Sequence, residues 1–202
     1  LVAAALCSNA HLVPPAELGG KYTVLGDPTE ACLETVARKG GLSPEDLALA
    51  IPRIRELPFD SRRKRMSTIH QISGERIAYV KGAPKEVLDL CVDMQRNGVV
   101  TPLSAEDRQK VMAANDDYAR KGLRVLAVAF RKISRNDDLP TALSAYTPEI
   151  LEQKMVFVGL VVMADPPRPE VAAAVAICHQ AKIRIIMITG DYGLTAESIA
   201  KR

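Results

Sequence analysis

The chain has 202 residues, 48% hydrophobic and 25% charged, with a net charge of +3. It holds enough apolar residues for one large domain, or one domain and part of a second, and too little positive charge for the basic stripe of a nucleic-acid binder. Cys7, Cys32, Cys91 and Cys178 are scattered with no Cys-x-x-Cys pair, and His11, His70 and His179 lack metal-ligand spacing, so the cysteines read as reduced core thiols of a cytosolic protein and no metal site is expected.

In chain order, residues 1–12 predict a helix, and the run lacks the basic start of a signal peptide. A Pro/Gly-containing loop, 13–28, ends in GDPTE. Thr29 is then expected to cap a helix that Gly40 and Gly41 stop. A short helix is expected at 43–51. Strands are expected at 53–59, 65–72 and 76–82, the last two joined through Ser73-Gly74 as a hairpin. Residues 83–91 turn helical, with Pro84 in the first turn. A polar linker containing Asn97-Gly98 leads to a long amphipathic helix at 104–121, opened by Ser104 and Asp107 and closed by Gly122. A strand follows at 123–133, then a polar loop or insertion at 134–153, then a strand at 154–165. The apolar part of that strand, 155–164, is too short for the roughly 20 residues of a spanning helix. DPPRPE breaks the chain, which places a domain boundary after residue 165. The rest reads as helix (169–181), buried strand (183–188), loop and helix, one α-β-α piece of a parallel-sheet domain. Because the chain starts and stops inside apparent secondary structure, it is expected to be part of a longer protein.

Four stretches carry chemistry, each open to a plainer reading. In KGAP (81–84), a lysine at a strand end beside a glycine can meet a ligand, although most lone lysines are solvated. In LPFDSRRKRMS (57–67), Phe59 stands beside Arg62, Arg63, Lys64 and Arg65. An aromatic face with cations suits a purine carrying phosphates; a core phenylalanine next to a solvated turn fits equally well. In GDPTEACL (26–33), Asp27 reads as a helix cap, and a carboxylate there also suits an adenine amino group. In MITGD (187–191), Thr189, the Gly190 N–H and a following helix form an anion cradle, or an ordinary strand-to-helix turn capped by Asp191. No Walker-type loop, dinucleotide fingerprint, kinase signature or supported Ser/His/Asp set is present.

Taken together, GDPTEACL, LPFDSRRKRMS, YVKGAPKEVL (79–88), GLRVLAVAFR (122–131), FVGLVVMADPPRPEV (157–171) and IRIIMITGDYGLTAESIA (183–200) resemble, in order and at plausible spacing, the cytoplasmic region of P-type cation-transporting ATPases. The similarity is greatest to the type II branch of calcium pumps and their bacterial relatives. It implies an antiparallel sheet flanked by helices, an α/β (α+β-like) nucleotide-binding domain at 1–165. A partial parallel, haloacid-dehalogenase-like phosphorylation domain is implied at 166–202. The phosphorylated aspartate of an Asp-Lys-Thr-Gly-Thr motif and the Mg²⁺-holding Gly-Asp-Gly-x-Asn-Asp motif are not in this chain.

The resemblance also assigns roles. Phe59 would stack on adenine, and Glu30, with Thr29 beside it, would contact the adenine amino group. Lys64 and Lys81 would line the pocket, Gly82 and Ala83 would form its floor, and Arg124 would reach the phosphates. Asp165, Pro166, Pro167 and Arg168 would form a hinge. Thr189 and Gly190 would contact the transferred phosphoryl group, with Asp191 beside the nucleotide. Lys85 and Arg62 stand where the family usually has acids.

The implied ligands are ATP and Mg²⁺, whose ion ligands lie mostly outside the chain, and the fragment alone is expected to bind without turnover. The implied partners are the remaining phosphorylation, actuator and transmembrane domains of one polypeptide. The expected location is the cytoplasmic face of a membrane protein, with the fragment itself soluble. The orphan strand at 183–188 predicts a unit that moves or pairs with another copy. Rival readings are a haloacid-dehalogenase-class phosphatase, a non-enzymatic interaction domain, or a pump for magnesium, sodium/potassium or protons rather than calcium.

Overall fold

The computed structural model describes residues 1–15, 17, 20, 22–134, 140, 142–164, 168–190 and 192–201. Of the expected hinge and phosphoryl-contact residues, Asp165, Pro166, Pro167 and Asp191 therefore lie outside the described residues. The chain divides into two units, one formed by Leu1–Ala105 with Leu126–Val161 and the other by Glu106–Val125 with Val162–Arg202.

The first unit is built on a mixed sheet. Its strands are β3 (Arg53–Asp60), β4 (Arg65–Ile72), β5 (Glu75–Gly82), β6 (Cys91–Arg96), β7 (Val99–Pro102), β8 (Leu123–Ile133) and β9 (Met155–Ala164), ordered β3-β4-β5-β8-β9-β6-β7. β3 with β4, β4 with β5 and β5 with β8 pair antiparallel, whereas β6 pairs with β9 in parallel. A small hairpin of β1 (His11–Val13) and β2 (Thr23–Leu25) stands apart. The helices of this unit are α1 (Val2–Leu6), α2 (Pro28–Lys39), α3 (Pro44–Ala50), α4 (Pro84–Leu88) and α6 (Pro148–Leu151). Four of those begin on proline, which presets φ where the missing N–H has no helical partner to lose.

Strand alternation sorts the side chains into two faces. Met66 lies opposite Lys81, Thr68 opposite Tyr79, and Tyr79 opposite Phe130, so one face carries Met66, Thr68, His70, Tyr79 and Lys81. That face packs against α1 and α2 in a core of Ala3, Ala4, Leu6, Cys7, Leu33, Met66, Tyr79 and Val128. On the other face, Leu57, Ile69, Ala78 and Ile133 pack against Tyr146 and Leu151 of the 142–153 segment.

His70 is buried on the helix side. Its Nδ1 donates to the Ile51 carbonyl at 3.0 Å and its Nε2 accepts from Thr68 Oγ1 at 3.0 Å, so the neutral ring is satisfied. Burial holds its pKa below the ordinary 6.5, with Arg53 adding repulsion, against the Ile51 bond that favours the charged ring. The folded state thus resists the proton that the unfolded chain accepts. His70 contributes stability above 6.5 that is lost as pH falls through the folded value. We expect the urea midpoint to drop between about pH 7.5 and about pH 5, and His70→Gln to flatten that part of the drop.

Several sequence expectations need correction. The expected helix at 1–12 ends at Leu6, and His11–Val13 is a strand. Asp27, not Thr29, caps α2: its carboxylate accepts from the N–H of Thr29 at 2.7 Å and of Glu30 at 3.3 Å. The expected linker around Asn97-Gly98 is the β6–β7 hairpin, with φ of 48° and 82° at the two turn residues, matching 48° and 84° at Ser73-Gly74. Both positions lie in the left-handed region that such two-residue turns require. Its first strand escaped notice because a register shift between Cys91 and Asp93 breaks the alternation.

The second unit contains α5 (Ala105–Arg120), the first residues of β8, α7 (Pro169–Gln180) and α8 (Gly193–Ala200). Tyr192 Oη donates to Asp116 Oδ1 at 2.9 Å, and the buried Thr195 donates from Oγ1 to the Leu123 carbonyl at 3.2 Å, which ties α8 back to α5 and its following strand. The expected buried strand at 183–188 does not form. Ile186 is 70% and Ile188 92% exposed, and no strand among the described residues pairs with them. A strand lacks internal hydrogen bonds, so an apolar run becomes one only where a neighbour supplies them.

Candidate functional site

Lys81, near the end of β5, is with Gly82 one of the two buried residues among those selected from the sequence and described. Alternation turns it toward α2, and its side chain is 5% exposed. Its Nζ lies 2.9 Å from Glu30 Oε1; beyond that ion pair the ammonium has no hydrogen-bond partner among the described residues. Glu30 in the first turn of α2 also accepts from the Asn9 N–H at 2.5 Å and from Ser8 Oγ at 3.4 Å through Oε2. Burial alone would raise the Glu30 pKa; the Asn9 N–H and the Lys81 ammonium outweigh it and hold the carboxyl below its usual range. Asn9 in turn donates from its side chain to Glu56 Oε1 at 2.9 Å, and Arg53 Nη1 donates to Glu56 Oε2 at 2.9 Å. The acid expected to meet an adenine amino group is thus already engaged on the helix side of the sheet.

The basic turn between β3 and β4 is ordered by its own acid. Asp60 Oδ1 accepts from the N–H groups of Arg62 and Arg63, both at 2.9 Å, and the Lys64 N–H donates to the Asp60 carbonyl at 2.7 Å. Those backbone bonds, with Arg62 and Arg63 nearby, lower the Asp60 pKa. Lys64 adopts φ 51° and pairs through Nζ with Glu86 Oε1 at 3.2 Å. Its carbonyl accepts from the Ala83 N–H at 3.0 Å. A Cβ on Gly82 would stand 2.5 Å from the Lys64 carbonyl oxygen and 2.8 Å from Arg65 Cα, so only glycine lets the turn settle onto β5. Lys64, Gly82 and Ala83 are thus brought together where this turn meets β5.

The four-cation cluster is less free than its sequence suggests. Arg63 and Arg65 both reach the fully buried carboxylate of Glu152, Arg63 Nη1 to Oε1 and Arg65 Nε to Oε2 at 2.6 Å, and Ser67 Oγ donates to the same Oε1 at 2.6 Å. Sequence reading missed Glu152, which lies at the end of a segment taken for a loop or insertion; nothing local marks an acid as the partner of arginines some ninety positions away.

Phe59 is 60% exposed on β3, two strands from Lys81 in the order β3-β4-β5. An exposed aromatic of this size beside an ordered cationic turn is free to receive a flat ligand, whereas a core role is excluded by its exposure. Thr29 lies in the first turn of α2. Arg124 belongs to the second unit, half-buried near the start of β8. Thr189 and Gly190 are exposed in that unit without regular structure, and α8 begins at Gly193 with Tyr192 before it, so the helix does not open directly on the Thr-Gly pair. Arg168 precedes α7 as its N-cap. Among the described residues no group of three or more His, Cys, Asp or Glu side chains is placed to hold a metal ion, and no helix is long and apolar enough to cross a membrane.

Comparison with known proteins gives a consistent answer. The family model described as P-type ATPase, cytoplasmic domain N, matches residues 1–170. The chain is 37% identical over 201 residues to a probable cation-transporting ATPase F of Mycobacterium tuberculosis, covering 99% of this chain and 21% of that protein. It is 37% identical over 205 residues to a calcium-transporting ATPase of Bacillus subtilis, covering 100% of this chain and 22% of that one. A sodium/potassium exporting P-type ATPase of Schizosaccharomyces pombe is 38% identical over 198 residues, covering 98% of this chain and 18% of the relative. The chain thus spans about a fifth of the length of the curated relatives it matches.

Proposed function

The chain belongs to the cytoplasmic N-domain family of P-type ATPases, and from that premise we propose that it binds ATP and presents it for phosphoryl transfer within a cation-transporting pump. Residues 1–165 are the nucleotide-binding domain, and 166–202 begin the return to the phosphorylation domain. The acceptor aspartate is supplied by another part of the polypeptide, as are most Mg²⁺ ligands, and the chain alone binds nucleotide without turning it over. Relatives named for calcium and for sodium/potassium match at nearly the same identity, so the proposal stops at a cation.

The observation that carries this reading is Phe59, a large aromatic left 60% exposed next to a turn whose backbone is fixed by Asp60. Its ring stacks on adenine. Lys64 and Lys81 line the pocket with positive charge, and Gly82 and Ala83 form its floor. Glu30 holds Lys81 and takes the adenine amino group when nucleotide enters. The resemblance further assigns Arg124 to the phosphates, Thr189 and Gly190 to the γ-phosphoryl group, and Asp165 to Arg168 to the hinge. Phosphoryl transfer depends on positioning and charge neutralisation, and this chain contributes the positioning.

Calorimetric titration with Mg·ATP tests the site. Phe59→Ala is expected to weaken binding by tenfold or more, since stacking of one base is worth about 1–3 kcal/mol. Its thermal midpoint should stay near that of the wild type, because so exposed a ring contributes little to the core. Unchanged affinity in that variant, or phosphate release by the purified chain, contradicts the reading.

A further inference from the structure

We propose that Glu152 is a positioning residue for the nucleotide turn, and that through it the 142–153 segment sets the geometry of Phe59 and Lys64; the proposal deepens the nucleotide reading and rests on it.

The need for such a residue follows from the sheet. The register of β3 against β4 shifts between Leu57 and Asp60, so Pro58 and Phe59 fall in an irregularity where ladder pairing is interrupted. Proline has no N–H to pair in any case. The backbone on the N-terminal side of Phe59 is instead held by a side chain, since Arg63 Nη2 donates to the Pro58 carbonyl at 2.8 Å. On the C-terminal side, Asp60 is held by the Arg62 and Arg63 N–H groups. Arg63 is thus the clamp on both flanks of the exposed ring.

Glu152 fixes the clamp. Its side chain is wholly buried, while those of Arg63 and Arg65 are 20% and 18% exposed. One carboxylate aligns both guanidinium groups, and Ser67 Oγ supplies a third donor. Arg65 Nη1 returns to the Arg63 carbonyl at 3.3 Å, closing the loop around Lys64. Glu152 is itself carried by α6, where its N–H donates to the Pro148 carbonyl at 2.8 Å, and its neighbour Leu151 is buried in the core beneath the sheet. A rigid line therefore runs from α6 through Glu152 and Arg63 to Pro58. Pairing the two arginines has a second effect: of the four turn cations it leaves Arg62 and Lys64 outside the Glu152 cluster.

The test is a double-mutant cycle on the full 202-residue chain. Mg·ATP affinity is measured for wild type, Glu152→Gln, Arg63→Met and the pair, with Glu152→Asp as the conservative variant and amide hydrogen exchange at residues 59–64 as the second readout. We expect each single variant to weaken binding about tenfold, the double to be no weaker than either, Glu152→Asp to recover part of the loss, and exchange at 59–64 to quicken while β5 and β8 stay protected. Arg63→Met, at a partly exposed position, carries the test if Glu152→Gln does not fold. Additive losses, or native affinity and exchange in both singles, overturn the proposal. Should wild type not bind ATP, the nucleotide reading falls; the exchange pattern still decides whether Glu152 orders the turn.

Discussion

Glu30→Gln is expected to destabilise this chain more than Lys81→Met, although both remove the same ion pair. The asymmetry comes from what is left behind. With the Glu30 charge gone, a Lys81 side chain only 5% exposed loses its ion-pair partner and has no other hydrogen-bond partner among the described residues. Breaking a buried pair in that way costs about 3–5 kcal/mol, reduced somewhat here by the amide oxygen that glutamine still offers. In Lys81→Met the remaining carboxylate is 18% exposed and still accepts from the Asn9 N–H, while methionine fills the space under α2. A loss of about 1 kcal/mol is expected. Urea unfolding of both variants measures the difference, and equal or reversed midpoints count against a buried, charge-bearing Lys81. For ATP the order inverts: Lys81→Met removes the cation and should abolish measurable binding, whereas Glu30→Gln should retain it in weakened form.

Acid should erase the Glu30 contribution. The folded carboxyl is held below the ordinary 4.5, so the unfolded chain takes up the proton first. Stability from this group is therefore complete above 4.5 and is lost as pH falls through the folded value. The gap between wild type and Glu30→Gln should narrow in that window and nowhere above it.

Strands β3, β4, β5, β8 and β9 and helices α2, α3, α5 and α7 were readable because period, proline and glycine agree locally with the fold. Ser73-Gly74 announced its hairpin for the same reason. Asn97-Gly98 announced one equally plainly, but the irregular register near Cys91 hid the strand before it. Residues 183–188 mislead in the opposite way: the apolar pattern specifies a strand only when neighbours complete it, and pairing is not encoded within six residues. At the site, types were legible and partners were not. Phe59, Lys64, Lys81 and Gly82 stood out by chemistry and spacing. That Lys81 is paired with Glu30 across the helix–sheet boundary, and that two of the four turn cations are consumed by Glu152, depends on contacts between distant segments.

Gly82→Ala is expected to damage both the fold and nucleotide binding, by about 2–3 kcal/mol in stability, at the upper end of what added core volume costs. The reason is steric rather than conformational. The new Cβ would meet the Lys64 carbonyl oxygen at 2.5 Å and Arg65 Cα at 2.8 Å, and neither backbone atom has a rotamer through which to retreat. Relief must come from lifting the β3–β4 turn off β5. That movement breaks the bond from the Ala83 N–H to the Lys64 carbonyl, and with it the register in which Arg65 lies opposite Gly82. Gly98→Ala supplies the contrast. There the added Cβ meets nothing within 4 Å, and only the φ of 82° resists it. A single left-handed residue costs about 1–2 kcal/mol, confined to the β6–β7 turn. Urea midpoints are expected to lie close together for the two variants, and Mg·ATP titration should separate them: Gly98→Ala binds as wild type does, and Gly82→Ala binds at least tenfold more weakly. Wild-type affinity in Gly82→Ala would mean that the β3–β4 turn can shift without disturbing the nucleotide contacts, and that Lys64 and Phe59 do not form the site.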